Sequence, residues 1–172
     1  VGGVNNVVTI SNSYSTASVD GTRYYIGGLA GNAQGVVTIL NSYSTGSVAT
    51  TSSTFSYYTG GLLGTAVGIT CTNCFYNKET SGKSDNRAGP NSGKTTAEMK
   101  TLATFTNTAT AGLSTSWDFN NIWKIDTSGT INGGYPYFTG TKFPFSAEGV
   151  VTLHNLDDDT DVKVDLTSSD TG

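Results

Sequence analysis

A repeat limits what this chain can fold into more than any other feature. Asn41-Ser42-Tyr43-Ser44-Thr45-Gly46-Ser47-Val48 is followed by Tyr57-Tyr58-Thr59-Gly60-Gly61-Leu62-Leu63-Gly64. The same order occurs earlier, with Asn12-Ser13-Tyr14-Ser15-Thr16-Ala17-Ser18-Val19 ahead of Tyr24-Tyr25-Ile26-Gly27-Gly28-Leu29-Ala30-Gly31. A degraded third copy begins at Asn73-Cys74-Phe75-Tyr76. The copies recur at about 29 to 33 residues, the range of solenoids, propellers and arrays. Each unit holds two or three short strands, Val36 to Leu40, Tyr43 to Val48 and Tyr57 to Leu63. No helical periodicity fills the gaps, and the unit is too short for a four-stranded propeller blade.

The expected architecture is an all-β, parallel β-solenoid of about three coils, with equivalent strands stacked ~4.8 Å apart. Stacking aligns like residues. Ile10, Ile39 and Cys71 then form an inward column, Tyr14, Tyr43 and Phe75 an aromatic one, and Asn12, Asn41 and Asn73 an amide ladder at a corner. The Gly-Gly-Leu-x-Gly element is expected to supply positive-φ corner positions, with the leucines filling the core behind it. Two outward features are candidate ligand contacts. In the Tyr24-Tyr25 and Tyr57-Tyr58 pairs one ring must face out if its neighbour faces in, and Tyr24, Tyr57 and Tyr58 are the candidate contacts. The Thr9, Thr38, Thr70 column would present stacked hydroxyls.

Gly27-Gly28-Leu29-Ala30-Gly31 and Gly60-Gly61-Leu62-Leu63-Gly64, each placed after an Asn-Ser-Tyr-Ser-Thr segment, resemble the GLUG motif of large bacterial surface and secreted proteins, adhesin-like and IgA-peptidase-like chains among them. Asn73-Cys74-Phe75-Tyr76-Asn77, Trp117-Asp118-Phe119, Ile122-Trp123 and Asn132-Gly133-Gly134-Tyr135-Pro136-Tyr137 resemble the segment that closes such arrays. The resemblance covers residues 1–140 and implies a non-enzymatic structural or adhesive module, extracellular or at the cell surface. Its implied partners are other copies or other domains of a surface protein, with host or matrix glycans as a further class.

Composition agrees with turn-rich β structure: charged residues are only 13% of the chain, while Gly numbers 22 and aromatics reach 10%. A net charge of −4 with scattered Lys and Arg argues against nucleic acid, and no apolar run approaches a membrane span. The chemistry of enzymes is thin. His154 is the one histidine and stands in a strand pattern, without a nucleophile pattern beside it. The coil region offers only Asp20 as an acid, which speaks against glycosidase chemistry. Cys71 and Cys74 lack the second ligand pair of a zinc site. On a straight strand they point to opposite faces, so a disulfide between them needs a turn, and free thiols and a disulfide both stay open. Asp157, Asp158, Asp159 and Asp161 are dense but lack calcium-loop spacing, and read as a solvated turn. No cofactor or metal site is expected.

The remaining chain divides the domain plan into residues 1–76 (repeats), 77–140 (loop, short helix and cap) and 141–172 (linker and hairpin). Residues 77–95 read as a surface loop. Thr95 would cap a short helix with Glu98 completing the capping box and Met99, Leu102 and Ala103 on its buried side. Trp117, Phe119, Ile122, Trp123, Ile125, Tyr135, Tyr137 and Phe138 suit a lid over the open end of the last coil. Exposed, Trp117, Trp123 and Tyr135 would instead offer a sugar-stacking platform. After Thr141-Lys142-Phe143-Pro144, alternation on both sides of Asp157–Thr160 predicts a β-hairpin, the start of a further β domain or an inter-subunit strand that would make the chain a filament subunit.

Overall fold

The structure, a computed structural model, describes residues 8–22, 24–32, 36–51, 58–85 and 87–140, and the backbone of Val150–His154 and Asp161–Asp165. The chain forms two compact units, Val1–Thr139 and Gly140–Gly172. Residues 77–139 lie in the same compact unit as the repeats. The second unit contains β14 (Val150–His154) and β15 (Asp161–Asp165), an antiparallel pair running from Val150 opposite Asp165 to His154 opposite Asp161. The side chain of His154, the Asp157–Asp159 turn and the Thr141–Pro144 boundary lie outside the described residues.

The first unit is mostly β, with parallel strands joined into sheets. Each repeat contributes a set of short strands: β1 (Val8–Ser11), β2 (Tyr14–Ser15), β3 (Val19–Gly21) and β4 (Ile26–Gly27). The next contributes β5 (Val37–Leu40), β6 (Tyr43–Ser44), β7 (Val48–Thr50) and β8 (Thr59–Gly60), and the third β9 (Ile69–Thr72) and β10 (Phe75–Asn77). Pairing is parallel from one repeat to the next, in the orders β1-β5-β9, β2-β6-β10, β3-β7 and β4-β8. Like residues align as expected: Ile10 with Ile39 and Cys71, Thr9 with Thr38 and Thr70, and Tyr14 with Tyr43 and Phe75. The single strand expected from Tyr43 to Val48 is instead broken in two at Gly46. A Cβ there would stand 1.8 Å from the Ala17 carbonyl oxygen, so the layers touch backbone to backbone at this bend.

The corners reverse the expected division of labour. Asn12, Asn41 and Asn73 take φ of 47°, 47° and 54°, the left-handed conformation that Asn tolerates best among non-glycine residues. Asn73 also donates its amide to the Asn41 side-chain oxygen at 3.2 Å, one rung of the expected ladder. None of the six motif glycines has a positive φ. They are glycines because other atoms, of the same turn or of a neighbouring segment, occupy the place of a Cβ. At Gly60 it would meet the Leu63 carbonyl oxygen at 2.1 Å, and at Gly61 the Tyr76 ring at 2.1 Å. Close approach, not backbone conformation, selects glycine here.

Two cores flank the β2-β6-β10 sheet. Ser44 faces one, its Oγ donating to the Gly61 carbonyl oxygen at 2.7 Å, and Tyr76 occupies the same register position in the third repeat. That core gathers Val37, Ile39, Leu62, Leu63, Cys74 and Tyr76. The tyrosine ladder faces the opposite way, into a cluster of Tyr43, Phe75, Met99, Phe105, Trp117 and Trp123, with Tyr14 and Phe138 at its margin. The aromatic segment is consequently not a lid over the last repeat. It lies along the flank of all three. Trp123 contacts Tyr14 and Tyr43, and Trp117 contacts Tyr43 and Phe75. Indole nitrogens fasten both ends, Trp123 to the Asn12 side-chain oxygen (3.4 Å) and Trp117 to the Asn73 carbonyl (3.1 Å). The reason is geometric: a ladder of large rings pointing out of the repeat stack must be covered by something.

The edge of the last repeat is closed by residues 77–94, which fold more than a loop would. Asn77 caps α1 (Lys78–Ser81), and β11 (Gly93–Lys94) adds a fourth parallel strand beside β10. The Asp85 carboxylate accepts the Gly61 N–H at 2.8 Å, and Arg87 donates to the Thr59 carbonyl at 2.7 Å. Side chains thus occupy backbone groups that a further repeat would otherwise pair. The predicted capping box is present on α2 (Thr96–Met99), with Thr95 and Glu98 exchanging bonds and Met99 buried. Leu102 and Ala103, expected on its buried side, are exposed. The chain restarts as α3 (Ala103–Thr106), and Phe105 fills that space instead. The flank segment ends in β12 (Trp123–Lys124) and β13 (Tyr137–Phe138), an antiparallel pair.

Urea denaturation should find Gly61→Ala destabilised by about 1–3 kcal/mol, because Tyr76 must leave its place. Gly140→Ala, with nothing within 4 Å, should stay within about 0.5 kcal/mol of the parent. Equal effects at the two sites would show that close packing does not set the glycine requirement.

Candidate functional site: an exposed tyrosine cluster

Tyr24 and Tyr25 from one repeat meet Tyr58 from the next. Ring centroids lie 5.2 Å apart for both the Tyr24–Tyr58 and Tyr25–Tyr58 pairs, each close to edge-on, and 5.9 Å for Tyr24–Tyr25. Tyr24 is 49% exposed and Tyr25 39%, although each ring covers part of its neighbours. The expected alternation, one ring in and one out, fails because Tyr25 has a φ of 63°. The left-handed turn presents both rings to solvent, and Ile26 becomes the inward residue, buried beside β8. A bulky side chain in this conformation costs about 1–2 kcal/mol, so the surroundings must hold it there.

Those surroundings are the repeat's own glycines. A Cβ on Gly31 would stand 2.3 Å from the Tyr25 carbonyl oxygen, and one on Gly64 would stand 2.4 Å from its carbonyl carbon. The last glycine of each Gly-Gly-Leu-x-Gly element thus makes the seat on which the Tyr25 backbone rests. Chemically the cluster offers apolar ring faces and phenolic groups that both donate and accept hydrogen bonds. Tyr57, named with Tyr24 and Tyr58 from the sequence, lies outside the described residues. Tyr25 was singled out by no sequence signal, since its role follows from a backbone turn.

The sequence candidates of the C-terminal segment belong to the packed flank. Trp117 is 2% exposed and Trp123 0%, so neither offers a free face for stacking. Tyr135 is half-buried, accepts the Asn77 amide at 2.9 Å and lies under the Lys100 ammonium. Tyr43 donates to the Pro136 carbonyl and accepts from Asn132, and burial raises its phenol well above the usual value. Tyr76 is pushed up to about 12, first by burial and then by nearby Asp85. Thr9, Thr38 and Thr70 do align across the three-stranded β1-β5-β9 sheet, with Thr9 and Thr70 exposed and Thr38 half-buried.

The cysteine geometry also departs from expectation. Cys71 joins the inward column, but Cys74 does not face out: the Asn73 corner returns it to the same core, buried, with its Sγ 3.4 Å from the Ile39 and Thr72 carbonyl oxygens. Among the described residues no group of three or more His, Cys, Asp or Glu side chains is placed to hold a metal ion. No helix among them is long and apolar enough to cross a membrane. No protein-family model, curated protein or solved structure matches the chain.

One acid on the flank has a distinct titration. The Asp126 carboxylate accepts the Ile131 N–H at 2.8 Å and both the hydroxyl and N–H of Ser128, which holds its pKa down to about 2. A depressed folded value means that the bonds of this turn are fully present above the unfolded carboxylate value of about 3.9, and are lost as pH falls toward about 2. Carbon-detected NMR should give a midpoint near 2 for this carboxyl, and Ser128→Ala should raise it. A midpoint in the ordinary Asp range would contradict the turn.

Proposed function

We propose that the chain is a non-enzymatic structural and adhesive module of an extracellular or cell-surface protein. In this reading its parallel repeats are GLUG-type coils of a β-solenoid, and the solenoid is a stiff scaffold for a contact surface. The observation that carries the proposal is the seating of Tyr25 on Gly31 and Gly64. The glycines that close the repeat element are the same residues that hold the Tyr25 backbone in the turn that brings its ring beside Tyr24 and Tyr58. Exposed tyrosine edges and faces suit the alternating apolar and hydroxyl faces of host or matrix glycans, which makes carbohydrate binding the form the adhesion takes.

A second reading is a filament subunit assembled by strand addition. It is favoured by the β14–β15 hairpin, a two-stranded sheet and hence marginal alone in water, with two edges of the kind that accept another strand.

The readings separate on two measurements. A glycan array should give binding that falls about tenfold or more in Tyr24→Ala and Tyr58→Ala, the size of a lost interface anchor. No binding by the parent, or binding indifferent to both changes, would remove the tyrosine surface from the proposal. Size-exclusion chromatography at high concentration should give a monomer, and negative-stain images of filaments would favour the second reading.

A further inference from the structure

We propose that Cys71 and Cys74 form a modification site, a dithiol that a small-molecule disulfide oxidises to an intramolecular disulfide across the Asn73 corner. The straight-strand argument against such a bond fails because Asn73 turns the chain with φ of 54°. Cys71 is the register partner of Ile39, and the Cys74 Sγ lies 3.4 Å from the Ile39 carbonyl oxygen, so both cysteines converge on one neighbour. Both side chains pack into the same core, Cys74 within it and Cys71 against its edge. They differ in access, Cys71 being half-buried and Cys74 buried. Beside them opens a cavity of about 350 Å³, lined by both cysteines together with Ala88, Pro90 and Leu113. That volume is in the range of small-molecule sites.

The accessible thiol and its covered neighbour define an order of events. The Cys71 sulfur, as thiolate, attacks one sulfur of the reagent, the reagent's S–S bond breaks, and one small thiolate leaves carrying an electron pair. The Cys74 sulfur, having lost its proton to solvent, then attacks the Cys71 sulfur of the mixed disulfide and expels the second small thiolate. The two small thiolates take up the two protons released by the cysteines. Two protein thiols are oxidised and one reagent disulfide is reduced to two thiols, with no other reactant. The adjacent Cys74 side chain and burial both raise the Cys71 thiol, so the exchange is slow, on the order of hours.

The test uses the unaltered chain and oxidised glutathione, with whole-protein mass and the count of reactive thiols after unfolding as readouts. The expected product is monomeric, lighter by one hydrogen pair, with no reactive thiol and a circular-dichroism spectrum like that of the reduced chain. Cys74→Ser should stop at one glutathionyl adduct on Cys71, and Cys71→Ser should take up reagent several-fold more slowly. The proposal is overturned if the unaltered chain keeps both thiols, ends as a stable glutathionyl adduct, or forms disulfide-linked dimers. It is overturned equally if Cys74 reacts as fast alone as Cys71 does. The unaltered chain decides the matter even if a variant fails to fold. None of these outcomes depends on the adhesive reading.

Discussion

Everything in the first unit rests on how closely one repeat lies on the next. Parallel pairing in register puts backbone against backbone at the bends, and several positions then have no room for a side chain. Gly46 against Ala17, and Gly64 against the Tyr25 carbonyl, are the plainest cases. Between such contacts, the aligned columns bury Ile39, Val37 and Leu62 almost completely. The repeat is therefore kept in the sequence by mutual fit between copies, and each copy is the mould for its neighbour.

Within that fit the Asn-Ser-Tyr-Ser segment divides four tasks among four residues. Asn41 turns the corner. Ser42 links layers, accepting the Ser13 N–H while donating to the Leu40 carbonyl. Tyr43 projects to the outer core, and Ser44 projects inward to the Gly61 carbonyl. A parallel strand covered on both faces normally needs apolar residues throughout. Here the inward Ser44 hydroxyl meets that need by bonding the Gly61 carbonyl of the Gly-Gly element.

Much of this was legible in the sequence, and the failures have physical causes. The strand columns could be read because parallel stacking repeats identity at a fixed spacing. The capping box at Thr95 and Glu98 could be read because it is local. What could not be read is where the chain leaves its local pattern. The inward return of Cys74 and the outward turn of Tyr25 both follow from single left-handed residues; the repeat marks Asn73 as a corner without giving the direction of its turn, and no periodicity marks Tyr25. The roles of Asn and Gly were exchanged because propensity ranks glycine first for positive φ, while tertiary crowding claimed the glycines here. Trp117 and Trp123 were identifiable as important, but whether they covered an end or a flank depended on which way Tyr43 points.

The flank segment has a further consequence. It touches the first repeat at Tyr14 and Asn12, the second at Tyr43, and the third at Phe75 and Asn73. Its reach equals the depth of the aromatic ladder, so it works as a ruler. An additional repeat carrying a tyrosine at the ladder position would outrun the ruler and leave a bare ring, whereas one with a small polar residue there would not. The length of a C-terminal stretch that shares no sequence with the repeats thus sets how many of them can keep the aromatic residue.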